Sequence, residues 1–107
     1  MKLTREKTVE LHRRMWSDMQ RDLGDNPTFE KRVEYKRQWC KKHFPNEHII
    51  NYCFLCKYAE NISFTDETMC NYCPIKWDFG LCFEGDHWKK SYRNMPISEL
   101  LALPERL

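Results

Sequence analysis

The chain has 107 residues, a formal net charge of +2, 32% charged residues and only three glycines. That length suits one domain, and its 4 Trp, 5 Tyr and 6 Phe exclude a disordered or low-complexity chain. No apolar run is long enough to span a membrane.

The N-terminal stretch Met1-Lys2-Leu3-Thr4-Arg5-Glu6-Lys7 lacks the apolar core of a secretion signal. We therefore expect a cytoplasmic protein with reduced thiols. The charge is unevenly spread. Residues 1–44 carry 12 Lys and Arg against 7 Asp and Glu, whereas residues 45–107 carry 6 against 9.

The first predicted element is a helix. Val9, His12, Trp16, Met19 and Leu23 recur at three- and four-residue spacing and form one apolar stripe. Thr4 or Thr8 suits its N-cap, and Gly24 stands where a helix end wants a left-handed residue. Asn26-Pro27 then predicts a second start, with Asn26 as cap and Pro27 as the first helical residue. This second helix runs to His43 and stops at Pro45. Phe29, Val33, Cys40 and Phe44 share one side, and Tyr35 and Trp39 an adjacent strip. A link this short implies an antiparallel helical hairpin over residues 1–45.

From Ile49 the pattern changes. Ile49 to Tyr52 reads as extended and leads into Cys53-Phe54-Leu55-Cys56. A turn at Lys57-Tyr58-Ala59 and a polar loop from Glu60 to Thr68 follow. The second knuckle is Cys70-Asn71-Tyr72-Cys73, and Asp78-Phe79-Gly80 returns the chain to Cys82. A third helix is expected from about Gly85 to Arg93. A short last one spans Glu99 to Leu103, capped by Ser98 and ended by Pro104.

Two Cys-x-x-Cys pairs are a means of building a tetrahedral tetrathiolate site, because a two-residue gap lets one turn aim both sulfurs at an ion about 2.3 Å away. The intervening segment, residues 57–69, falls just short of the roughly 15–20 residues of common zinc modules. Zn²⁺ held by Cys53, Cys56, Cys70 and Cys73 is the expected arrangement. Cys82 is an alternative ligand or a fifth thiol, and His87 a weaker substitute. Disulfides and iron are the competing chemistries. Cysteines three apart rarely bridge each other, and five clustered cysteines leave one unpaired. With more thiolates than coordination positions, the site has no place for a reacting water, so the zinc is read as structural.

No metalloprotease or deaminase motif, phosphate-cradling loop or Ser-His-Asp set stands out, and an enzyme is not expected. His12 reads as a core histidine, His43 and His48 as surface residues, and Cys40 as a buried small residue. Lys31, Arg32, Lys36, Arg37, Lys41 and Lys42 form a basic face on the second helix. The bland reading is a solvated face. The sharper one is a docking surface made of Lys31, Arg32, Lys36, Arg37 and Trp39, for an acidic partner or for nucleic acid. Nothing in the pattern fixes an oligomeric state.

The fold class expected is therefore an α-rich small zinc-binding domain: a helical hairpin followed, over residues 46–107, by a double zinc-knuckle, zinc-ribbon-like module with short closing helices. The order Trp39, Asn51-Tyr52-Cys53-Phe54-Leu55-Cys56-Lys57-Tyr58-Ala59, Cys70-Asn71-Tyr72-Cys73-Pro74-Ile75-Lys76-Trp77 and Cys82 resembles a group of small Cys-rich proteins encoded by tailed bacteriophages and prophages. His12-x-x-x-Trp16 and Leu101-Ala102-Leu103-Pro104 fit it as well, so the resemblance covers most of the chain. That group has no established activity. The resemblance implies the cytosol of an infected bacterium and a stoichiometric inhibitor of a host or antiviral-defence protein. A nucleic-acid-binding or transcription-regulatory zinc module is the alternative.

Overall fold

In a computed structural model, residues 2–49, 52–62, 73–76 and 92–105 are described. Four helices occur among them: α1 (Arg5–Leu23), α2 (Phe29–His43), α3 (Phe54–Ile62) and α4 (Ile97–Leu101). Among the described residues there is no strand, only an isolated antiparallel bridge between Ile75 and Glu105. No described helix is long and apolar enough to cross a membrane.

Helix α1 starts where Thr4 can cap it. The Thr4 side chain accepts from the Lys7 N–H at 3.1 Å, as an N-cap threonine does. It ends at Gly24, whose φ of +84° is a conformation that costs glycine little. Its buried face holds Thr8, Val9, Leu11, His12, Met15, Trp16 and Met19, a broader band than one stripe. The reason is position: α1 packs against α2, α3 and α4, most extensively against α3. Leu23, expected on the stripe, lies at the exposed end of the helix instead.

Helix α2 begins two residues later than expected. Its cap is Thr28, whose side chain accepts from the Lys31 N–H at 3.3 Å, not Asn26. The Tyr35 hydroxyl donates to Asp22, and the Trp39 indole N–H donates to Asp18 at 2.8 Å. Partners that descend as the other helix ascends fix α1 and α2 as antiparallel.

The buried side of α2 is Arg32, Lys36, Trp39 and Cys40, while Phe29, Val33 and Phe44 are half-buried. Two cations thus occupy the inward positions of the helix, which corrects the expected solvated basic face. Arg32 is 1% exposed. Its guanidinium donates to the carbonyls of Pro27 (3.0 Å), Tyr92 (3.1 Å) and Met95 (2.6 Å). Long stems supply apolar surface while the charged heads find carbonyls and ring faces.

Helix α3 replaces the turn expected at Lys57 to Ala59 and continues to Ile62. Its first residues insert Phe54 and Leu55 into the core. The Phe54 ring meets Trp39 and Phe44 edge-on, with centroids 5.6 Å from each. The core then runs through Ile75, Met95, Ile97 and Leu100, so both halves of the chain share one cluster.

Helix α4 is shifted two residues towards the N-terminus of the expected one, and Ser98 does not cap it. Its first N–H groups are met from outside, by the Asp25 carbonyl and carboxylate. Most of the expected helix from Gly85 lies outside the described residues, and its end, Tyr92 to Asn94, is a turn.

Candidate metal centre

Cys53 occupies the N-cap position of α3. Its carbonyl accepts the first helical hydrogen bond, from the Lys57 N–H at 3.0 Å, and its Sγ accepts the Cys56 N–H at 3.4 Å. Tyr52, directly before it, has φ +51°, a left-handed conformation that non-glycine residues seldom adopt. This departs from the extended entry expected for Ile49 to Tyr52. The left-handed residue immediately precedes the sulfur that caps the helix.

The electrostatics favour a thiolate there. The Cys56 thiol hydrogen-bonds to Cys53, the Lys36 charge acts on it, and the N–H groups of Cys56 and Leu55 face it. Together these outweigh burial and hold the Cys53 thiol well below its ordinary range. A helix N-terminus adds its positive dipole end. Amide donors converging on the first sulfur of a Cys-x-x-Cys pair also suit a metal ligand, because they stabilise a sulfur that must be deprotonated to bind.

The second pair is visible only at its end. Cys73 is half-buried against the same core as Cys53. The chain leaving it is pinned: Pro74 and Ile75 are buried, and the Lys76 N–H donates to the Pro104 carbonyl at 2.9 Å. Cys70, Cys82 and His87 lie outside the described residues. Among the described residues no group of three or more His, Cys, Asp or Glu side chains is gathered as a metal site. Cys53 and Cys56 therefore fit one half of a tetrathiolate centre.

Cys40 is a different kind of cysteine. It is 5% exposed, and burial pushes its thiol up to about 11, so it stays protonated. His12 is 2% exposed, and its pKa falls to about 3 through burial first and then the charges of Lys36 and Arg13. Both behave as the core residues expected. His43, expected at the surface, is half-buried and stacks on Trp39 at 4.0 Å.

The expected docking set is divided by the fold. Lys31 is exposed, and Arg37 is partly exposed and pairs with Glu34 at 2.6 Å. Arg32, Lys36 and Trp39 are buried and unavailable to a partner in this conformation. Trp77, Trp88 and Tyr72 lie outside the described residues. A cleft of about 570 Å³ opens instead at the C-terminal end of α2. Phe44, Pro45 and Tyr52 supply apolar walls, and Arg37, Lys41 and Glu47 are its charged residues. Sequence periodicity could not reveal it, because the cleft forms where the chain leaves the helix. No family model, curated protein or solved structure matches this chain.

Proposed function

We propose that this chain is a small zinc-stabilised protein-binding factor, acting as a stoichiometric inhibitor of a bacterial host or antiviral-defence protein. Zn²⁺ is held by Cys53, Cys56, Cys70 and Cys73, with Cys82 as the alternative fourth ligand. The metal supplies a crosslink between the start of α3 and the Cys73 segment. The zinc reading is supported by the Cys53 sulfur facing the Cys56 amide at the head of α3. Setting, partner class and inhibitory role rest on the resemblance to Cys-rich phage and prophage proteins.

The observation that carries the binding role is the cleft at the end of α2. Its aromatic walls beside Arg37 and Lys41 suit an acidic segment that presents an apolar side chain. Nucleic acid is disfavoured by the burial of Arg32 and Lys36, which removes two cations from the basic face and so lowers the number of phosphate contacts.

The test is affinity capture from bacterial lysate, run in parallel with an Arg37→Glu, Lys41→Glu double variant. The wild type should retain one dominant protein at a stoichiometric ratio, and the variant should lose it. Equal capture by both proteins, or capture of nothing above background, contradicts the reading. A gel-shift signal at low salt would redirect it to nucleic acid.

A further inference from the structure

Helices α1 and α2 are joined along one edge by a ladder with a regular step. Asp22 accepts from the Tyr35 hydroxyl. One turn back along α1 and one turn forward along α2, Asp18 accepts from the Trp39 indole N–H at 2.8 Å. Each rung sets a carboxylate on α1 against a donor on α2. Arg21 braces both aspartates, at 3.1 Å from Asp18 and 3.0 Å from Asp22. A further turn on each helix brings Arg14 level with His43. The His43 ring extends the edge by lying on Trp39, with centroids 4.0 Å apart and planes inclined by 28°.

This third rung has donors on both sides and no acid. Arg14 is exposed and His43 half-buried, and among the described residues neither side chain has a hydrogen bond or ion pair. The acids one turn either side of Arg14 are engaged, Glu10 by Lys7 and Asp18 by Trp39 and Arg21. Exposed Lys42 adds positive charge beside His43. Burial first, then the charges of Arg14 and Lys42, hold the His43 imidazole below its ordinary value, while Asp18 acts the other way. The dipole of α2 favours cations in its last turn, but it does not account for a guanidinium without a partner midway along α1.

The two filled rungs indicate what chemistry fits the third. Both use a carboxylate oxygen as acceptor. An exposed guanidinium takes a carboxylate through two parallel N–H bonds, and a neutral imidazole adds one N–H in either tautomer. A doubly charged phosphate would be repelled more strongly by Asp18 and Asp22 along the same edge.

We infer that Arg14 and His43, with Lys42 beside them, form a docking point for an aspartate or glutamate side chain of a partner protein. The partner supplies the acid that the third rung lacks. Arg37, Lys41 and Phe44 line the cleft from a different strip of α2, so the two surfaces are separate.

The experiment is an NMR titration of the full chain with a capped hexaglutamate peptide at low salt, where exposed charge pairs are least screened. The largest shifts should fall on the His43 ring, the Trp39 indole N–H and the Arg14 side chain. The pH midpoint of His43 should rise as the peptide binds. Arg14→Gln should weaken binding by about fivefold, and Arg14→Lys should recover part of the loss. His43→Phe keeps a ring on Trp39 without its N–H and should weaken binding by a smaller factor. Arg14 is exposed, so its variants should melt with the wild type. Unchanged affinity in Arg14→Gln, or shifts gathered at Phe44 and Tyr52 in the cleft, overturns the inference. Tighter binding of inorganic phosphate, or of a single-stranded DNA of equal charge, also overturns it and assigns the rung to phosphate.

Discussion

Asp25 holds Ser98 with both carboxylate oxygens, accepting from the Ser98 N–H at 2.7 Å and from its hydroxyl at 2.8 Å. The Asp25 carbonyl accepts from the Ile97 N–H at 2.9 Å, so one linker residue satisfies the head of a helix far along the chain. Gln20 steadies the same carboxylate from α1 at 3.1 Å. Asp25→Ala should therefore lower the melting temperature by about 5 °C, whereas Asp25→Asn should keep more of it. Thermal unfolding followed by circular dichroism gives the comparison. Equal melting of all three proteins would remove this contact from the fold's support.

The sign of the pH dependence at Asp25 follows from the same bonds. The Ser98 N–H, then the Ser98 hydroxyl, hold its carboxyl below the ordinary value. The contact is fully present above the unfolded carboxylate pKa and is lost as pH falls through the lower folded one.

Arg32 is the second support that joins distant segments. Its guanidinium is fully buried and bonded to the carbonyls of Pro27, Tyr92 and Met95. Arg32→Met should cost about 3 kcal/mol or more in urea unfolding, because three buried carbonyls lose their donor at once. Arg32→Lys should recover little, since one ammonium cannot reproduce a planar fork. Full recovery by lysine would show that charge matters here and geometry does not.

How much was legible in the sequence follows from how local each signal is. Thr4, Gly24 and the end of α2 at His43 are local, and the expected boundaries match there. Asn26-Pro27 is a stronger helix-start pattern than Thr28, yet Pro27 is buried outside the helix and accepts from Arg32. Periodicity puts Arg32 and Lys36 on a solvated face, whereas both are buried, because it counts a long cation as polar wherever its stem is buried. Their positions relative to Trp39 and Cys40 follow an ordinary helical stripe once they are allowed inside. Asp25 with Ser98 is a tertiary contact that no local pattern encodes. The place of Cys53 at the head of α3 is not legible as a helix cap, since sulfur is an unusual capping atom.

His12 makes acid a specific stress. Its folded pKa of about 3 lies below the unfolded value near 6.5, so the unfolded chain binds more protons between the two. Stability is complete above about pH 6.5 and is lost as pH falls towards 3, by up to about 1.4 kcal/mol per pH unit. His12→Gln should flatten that slope relative to wild type in denaturant titrations between pH 7 and pH 4.5. Comparing the two proteins at each pH cancels any acid release of metal common to both. Parallel slopes would mean that His12 is not held neutral in the folded protein.

The cysteines should separate into two groups. Cys40→Ala removes a buried, protonated thiol and should cost about 1–2 kcal/mol with the metal content unchanged. On the proposed zinc reading, Cys53→Ser removes a ligand and a helix cap together, from a centre of a kind whose binding energy totals about 10–16 kcal/mol in zinc-finger peptides. It should abolish cooperative unfolding. A well-folded Cys53→Ser protein that keeps its metal would move the centre to other sulfurs.

Elemental analysis of freshly purified chain, combined with native mass spectrometry and a thiol count, tests the central claim most directly. The account predicts one zinc per chain and free thiols after chelation under denaturing conditions. A chain free of stoichiometric metal, with its sulfurs joined in pairs, would contradict it.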